Sequence, residues 1–101
     1  MLQGGSQALI SFQQRVIMPA HVVLQDVEGE SVLLDLDREL YFGLDEVGTR
    51  MWAVLTAAAS IQEAYEALLA EYDVAADVLQ EDLQELIGQL ADNGLLELAD
   101  G

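Results

Sequence analysis

Residues 21–44 read HVVLQDVEGESVLLDLDRELYFGL, and this stretch decides the fold. Polar turns of three residues, at 28–30 and 37–39, interrupt it. Between them lie runs rich in valine, leucine and aromatic residues, at 21–27, 31–36 and 40–44. Because turns this short join antiparallel strands, the pattern predicts a three-stranded antiparallel meander. One face of its middle strand is expected to carry Val32, Leu34 and Leu36.

After position 44 the spacing of apolar residues changes to three and four, which is typical of helices. Three helices are predicted. Their boundaries are expected at an Asp45 cap, at capping boxes Ser60–Glu63 and Asp77–Gln80, and at an Asn93-Gly94 stop. Strands followed by helices in this order predict an α+β, winged-helix-like fold, in which a three-stranded antiparallel sheet is followed by three helices.

The charge balance limits the partners that the chain can have. Its 101 residues include 19 acidic and three basic side chains, which gives a formal net charge of -16. Such a surface repels both nucleic acid and anionic membranes, so neither is an expected partner. Half of the residues (52%) are hydrophobic, which is too many for a disordered acidic tail. No apolar run reaches the length of a membrane span, and the absence of cysteine favours the cytoplasm.

The sequence offers little material for catalysis. His21 is the only histidine, and a single histidine is more often structural than catalytic. No glycine-rich phosphate loop occurs, and no acidic loop has calcium-binding spacing. With 19 acidic residues, neighbouring carboxylates arise by chance and indicate solvated faces. We therefore expect a protein that is not an enzyme and that needs neither cofactor nor metal.

The run at 40–44 has the strongest functional signal. It is apolar on both faces, although the last strand of a meander lies at an edge. Native edge strands usually carry lysine or proline, which discourage pairing with other chains, and this run has neither. It therefore indicates either an edge that the third helix or a crystal or dimer mate covers, or capture of an extended peptide as an additional strand. The alternatives are a structural or self-associating subunit, with edges paired in a homodimer, and a winged-helix regulator that acts through protein contacts.

Six short motifs follow one another within residues 16–98. They are Val32-Leu33-Leu34-Asp35-Leu36, Tyr41-Phe42-Gly43-Leu44-Asp45, Val47-Gly48, Met51-Trp52, Tyr72-Asp73-Val74 and Gly94-Leu95-Leu96. In order and spacing they resemble the PqqD family of small peptide chaperones, also called RiPP recognition elements. The stretch from Leu44 to Trp52 is most similar to stand-alone members that serve lasso-peptide pathways.

This resemblance implies a function and a site. It implies that the leader of a ribosomally made precursor peptide binds as an antiparallel strand beside the third strand and packs against the third helix. The protein would then deliver the precursor to a maturation enzyme or a leader peptidase. The implied peptide-binding residues are Leu40, Tyr41, Phe42, Gly43, Leu44, Val78, Leu79, Asp82, Leu83 and Leu86.

The same reasoning divides the chain into segments. Residues 1–15 are expected to be flexible or weakly ordered, residues 16–98 to form the PqqD-like peptide-binding domain, and residues 99–101 to be a tail. The short turns at 28–30 and 37–39 lower the free-energy cost of exchanging strands between two copies. We therefore expect a monomer that can form a strand-exchanged dimer at high concentration.

Overall fold

A computed structural model describes residues 10–100 of the chain. In chain order its elements are β1 (Gln14–Ile17), β2 (Val22–Val27), β3 (Glu30–Asp35), β4 (Leu40–Leu44), α1 (Glu46–Ala57), α2 (Ile61–Glu71), α3 (Ala76–Asp92) and β5 (Glu97–Asp100). Strands β2, β3 and β4 form an antiparallel sheet in that order, and the three helices follow it. The predicted α+β fold with a three-stranded meander is confirmed.

The turn between β2 and β3 is tighter than the sequence indicated. Val27 pairs with Glu30, so only Glu28 and Gly29 form the loop. Both have positive φ, 53° and 90°. This geometry is that of the two-residue hairpin turns whose twist matches the flanking strands. Glu30 consequently belongs to β3 and not to the turn.

A second sheet of two strands was not predicted. Strand β1 pairs antiparallel with β5, so that the two ends of the described chain lie side by side. Within β1 only Val16 is buried. The first two residues of β1 fall in the predicted segment 1–15, and β5 extends into the predicted tail. Residues 1–9 and 101 lie outside the described part of the chain, and the division into three segments stays a prediction.

The helix boundaries follow their caps with one exception. Asp45 Oδ1 accepts a 2.7 Å hydrogen bond from Gly48 N, and Ser60 Oγ accepts one of 3.1 Å from Glu63 N. The capping box predicted at Asp77 is wrong, because α3 begins at Ala76 with Ala75 as a cap that makes no side-chain bond. Asp77 lies inside the first turn of α3, where a carboxylate is favourable beside the positive helix end.

The alternation of apolar residues pointed to the face of β3 that carries Val32 and Leu34. The structure buries the opposite face instead. Ser31, Leu33 and Asp35 are at most 2% exposed and form what we call the inner face, which packs against the helices. Val32 and Leu34 share the opposite, outer face and are half-buried, while β3 ends before Leu36. The polar residues can be buried because they are paired: Ser31 Oγ lies 2.7 Å from Thr49 Oγ1 in α1.

The core joins this inner face to all three helices and to residues near both ends of the described segment. Its buried hydrophobic residues are Val16, Val22, Leu33, Leu44, Met51, Trp52, Leu55, Ile61, Ala64, Leu68, Leu79, Leu83, Ile87, Leu90, Leu95 and Leu96. Trp52, 2% exposed, is thus a core residue. Within residues 10–100, no helix combines the length and the apolar character that a membrane crossing requires.

Candidate functional site

Strand β4 forms an edge of the three-stranded sheet. It pairs with β3 along one side only, and β2 lies beyond β3. The register aligns Leu40 with Asp35, Phe42 with Leu33 and Leu44 with Ser31. The other side of β4 has no strand partner among the described residues. Its backbone groups therefore decide what the edge can bind.

Backbone directions along β4 follow from one hydrogen bond at the far side of the sheet. Leu36 N donates to His21 O at 2.9 Å, so the backbone of Leu36 points toward β2. Because directions alternate along a strand, the backbone of Leu33 points the other way, toward β4. Its partner Phe42 therefore bonds to β3, and the N–H and C=O groups of Tyr41 and Gly43 point out of the sheet.

The side chains of β4 alternate between the two faces of the sheet. Phe42 lies on the inner face, is half-buried and packs against the core. Leu44 on the same face is 5% exposed, whereas Leu40 is 49% exposed. Tyr41 lies on the outer face and is 77% exposed. A Cβ added at Gly43 would meet nothing within 4 Å, so the outer face of the sheet is sterically open there.

The α3 residues that the resemblance implied for peptide binding fall into a buried pair and a more exposed group. Leu79 and Leu83 are 3% and 0% exposed and belong to the core. Val78 and Asp82 are exposed, and Leu86 is half-buried. Without movement of α3, a bound peptide therefore has access to Val78, Asp82 and Leu86 but not to the two buried leucines.

A cleft of about 200 Å³ lies between the start of α1 and α3. We call it the α1–α3 cleft, and its lining residues are Asp45, Val47, Gly48, Met51, Asp82, Glu85, Leu86 and Gln89. It contains Asp82 and Leu86 from the predicted site. The other lining residues were not predicted from the sequence, although the spacing 82, 85, 86 and 89 marks one face of a helix.

A second cleft of about 330 Å³ borders the end of β4. Its lining includes Val32 and Gly43 from the outer face, together with Leu44 and Asp45. Asp45 lines both clefts. At its carboxyl end, the open edge is thus bordered by two recesses that share Asp45 in their linings.

One arginine ties the start of β4 to the end of α3. Asp35 Oδ1 accepts bonds from the backbone N–H groups of Asp37 and Arg38, at 3.0 and 3.1 Å. Arg38 Nε donates to Asp35 Oδ2, and this bond, opposed by burial, holds the pKa of Asp35 below its usual range. The guanidinium of Arg38 also donates to the carbonyl oxygen of Asn93, which caps α3.

The other titratable groups within residues 10–100 include a single histidine, His21. His21 Nε2 lies 3.8 Å from Asp35 Oδ2, which is too far for a hydrogen bond. In the part of the chain that the structure describes, no three His, Cys, Asp or Glu residues are grouped so as to hold a metal ion. The chemistry that the described site offers is hydrogen bonding, apolar contact and the negative charge of Asp45, Asp82 and Glu85.

Comparisons with known proteins give one family match and two solved structures with a similar fold. The sequence profile of the family described as Coenzyme PQQ synthesis protein D (PqqD) matches residues 30–96. The structure of TbiB1 in complex with the TbiA(beta) leader peptide is 37% identical in sequence, with a TM-score of 0.74 over 80% of this chain and 94% of that one. A lasso peptide synthetase B1 complexed with its leader peptide has the same fold, at 21% identity and a TM-score of 0.72 over 84% of this chain and 98% of that one. Comparison with curated protein sequences finds no significant match.

Proposed function

Because this chain belongs to the PqqD family, we propose that it binds the leader of a ribosomally made precursor peptide without catalysing a reaction itself. The leader would add to β4 as an antiparallel strand. TbiB1, which shares the fold and 37% of aligned residues, has been solved with a leader peptide bound. We also propose that the pathway it serves is lasso-peptide biosynthesis, which the resemblance of the stretch from Leu44 to Trp52 supports.

The outward backbone of Tyr41 and Gly43 is the observation that carries the proposal. Two N–H donors and two C=O acceptors face solvent, at the spacing that an extended peptide presents. Each hydrogen bond contributes about 0.5–1.5 kcal/mol net, so the backbone alone supports only modest affinity. Apolar contacts must supply the remainder, and they also supply specificity.

The inner face of β4 and the exposed side of α3 supply those contacts. A strand added beside β4 would direct alternate side chains toward the helices, past half-buried Phe42 and toward Leu86. Leu40 and Val78, each 49% exposed, offer further apolar surface. Leu79 and Leu83 would act from the core, by holding α3 in place.

We further propose that the bound leader is handed to a maturation enzyme or a leader peptidase. A protein whose edge binds only the leader leaves the remainder of the precursor free for modification. A leader that is disordered when free would become ordered as it binds, which is typical of segments that fold on their partner. Presentation of an ordered leader is therefore the contribution that this chain would make.

Calorimetric titration with the TbiA(beta) leader peptide tests the proposal. We expect saturation at one peptide per chain. A peptide with the same composition in scrambled order is the control, and it should bind at least about tenfold more weakly. Sedimentation in parallel tests the self-associating alternative. A stable dimer that takes up no leader peptide would show that the β4 edge serves to pair copies of this chain.

A further inference from the structure

The α1–α3 cleft combines apolar and acidic lining. Val47, Met51 and Leu86 supply the apolar part. Asp45, Asp82 and Glu85 supply three carboxylates, and Gly48 and Gln89 complete the lining. A volume of about 200 Å³ suits a single long side chain and not a helix or a second strand. The occupant must therefore be partly apolar along its length.

Among residues 10–100, no basic side chain is paired with the carboxylates of this cleft. Neither Asp82 nor Glu85 forms an ion pair within the described residues. Asp45 uses Oδ1 to accept from Gly48 N. Arg38 is bound to Asp35 and Arg50 is bound to Glu71, and Arg15 neither lines the cleft nor pairs with its carboxylates, so none of the three arginines compensates these charges. A positive group from outside would relieve the repulsion among the three carboxylates.

The cleft continues directly from the open edge. Asp45 follows Leu44, the last residue of β4, and lines the cleft with the first turns of α1. The outward backbone of Gly43 lies two residues earlier. Since an extended chain advances about 3.3 Å per residue, a strand paired with Gly43 reaches the cleft within two to three residues.

We propose that the α1–α3 cleft receives an arginine or lysine side chain of the leader, an inference that rests on the proposed function. The aliphatic stem packs on Val47 and Leu86, and the charged head lies among the carboxylates. Long basic side chains are suited to such a site because they bury their stems and keep their heads in polar surroundings. The acidic lining thus selects leaders by a basic residue at one position.

An arginine scan of the TbiA(beta) leader peptide tests this inference. Each residue in turn is replaced by arginine and, separately, by glutamine, a neutral side chain of related length. At one position, or at two neighbours on the same face of the strand, arginine should bind about three- to tenfold more tightly than glutamine in 50 mM salt. The preference should decrease in 500 mM salt, because exposed charges are screened.

Two double variants show whether the cleft causes the preference. In D82N/E85Q the advantage of arginine should fall below about twofold. The control E63Q/E81Q removes the same number of charges from exposed positions outside the cleft, on α2 and α3. It should keep most of the preference. Circular dichroism and urea unfolding confirm that each variant is folded.

The outcomes separate this inference from the proposed function. If the unmodified leader peptide binds but no position favours arginine over glutamine, the inference is wrong and leader binding stands. It is also wrong if the preference survives in D82N/E85Q, or if both double variants lose it equally, since the cause would then be net charge alone. If neither the unmodified leader nor any scan peptide binds the wild-type chain, the proposed function itself is contradicted.

Discussion

Arg38 Nε and Asp35 Oδ2 lie 2.8 Å apart, with the carboxylate fully buried and the arginine half-exposed. The same guanidinium reaches the carbonyl oxygen of Asn93, 55 residues further along the chain. The turn that precedes β4 is thereby fixed to the residue that ends α3. Arg38 therefore links the start of β4 to the end of α3, the two elements between which the proposed leader site lies.

The first prediction compares the two arginine pairs. Arg38→Ala should lower the urea midpoint of unfolding more than Arg50→Ala does. The first change leaves Asp35 buried without its cation, whereas Arg50 and Glu71 are both partly exposed and their pair contributes little. Urea unfolding of the two variants and the wild type measures the order. Equal midpoints for the two variants would show that Asp35 does not depend on Arg38.

The second prediction concerns acid. Arg38 holds the pKa of Asp35 below its usual range in the folded protein. The unfolded chain has the ordinary value, so Asp35 stabilises the fold fully above an ordinary aspartate pKa of about 4 and loses that contribution as pH falls through its lowered folded pKa.

Urea midpoints between pH 7 and pH 2 test this dependence. The difference between wild type and Asp35→Asn should be constant near neutrality and should shrink below about pH 4. Glu71→Gln serves as the control. Glu71 is a second carboxyl whose pKa is lowered, in its case by the hydrogen bond from Arg50. A difference between wild type and Asp35→Asn that stays constant to pH 2 would contradict the pairing.

The sequence predicted the elements whose signals are local. The β4 run at 40–44 agrees with the structure, and the caps at Asp45 and Ser60 are in place because capping depends on residues three positions apart. Strands β1 and β5 were missed because each has four residues and pairs with the opposite end of the chain. No periodicity within so short a segment reveals a distant partner.

The inner face of β3 was missed for a related reason. Ser31 and Asp35 are polar, and their burial depends on Thr49 and Arg38, whose positions only the folded chain reveals. The same limit applied to the site. The edge strand was recognisable from its composition, but the contribution of α1 to the α1–α3 cleft depends on how the two helices meet.

The third prediction tests the backbone directions in β4. Tyr41→Pro and Gly43→Pro remove N–H groups that face out of the sheet, so both variants should fold and lose at least about fivefold in affinity for the leader peptide. Phe42→Pro removes a bond to β3 and should destabilise the fold. Tyr41→Ala is the control that keeps the N–H while removing the side chain. Unfolding and calorimetric titration measure both effects. Unchanged affinity in the two folded proline variants would exclude strand addition at β4.

The fourth prediction separates the two sides of α3. Leu83→Ala creates a cavity in the core and should cost about 2–5 kcal/mol of unfolding free energy. Leu86→Ala should cost clearly less, because Leu86 is only half-buried, but should weaken leader binding about three- to tenfold. Urea unfolding and calorimetric titration measure the two effects. Normal leader affinity in Leu86→Ala would show that Leu86 and its side of α3 do not contribute to the site.

Amide hydrogen exchange, followed residue by residue by NMR, is the most direct measurement of strand addition. In the free protein the amides of Phe42 and Leu44 should exchange slowly, because they bond to β3, and those of Tyr41 and Gly43 should exchange quickly. Saturation with the TbiA(beta) leader peptide should slow exchange at Tyr41 and Gly43 by at least about tenfold and leave Phe42 nearly unchanged. Exchange at Tyr41 and Gly43 that is as fast in the saturated complex as in the free protein would contradict strand addition at β4.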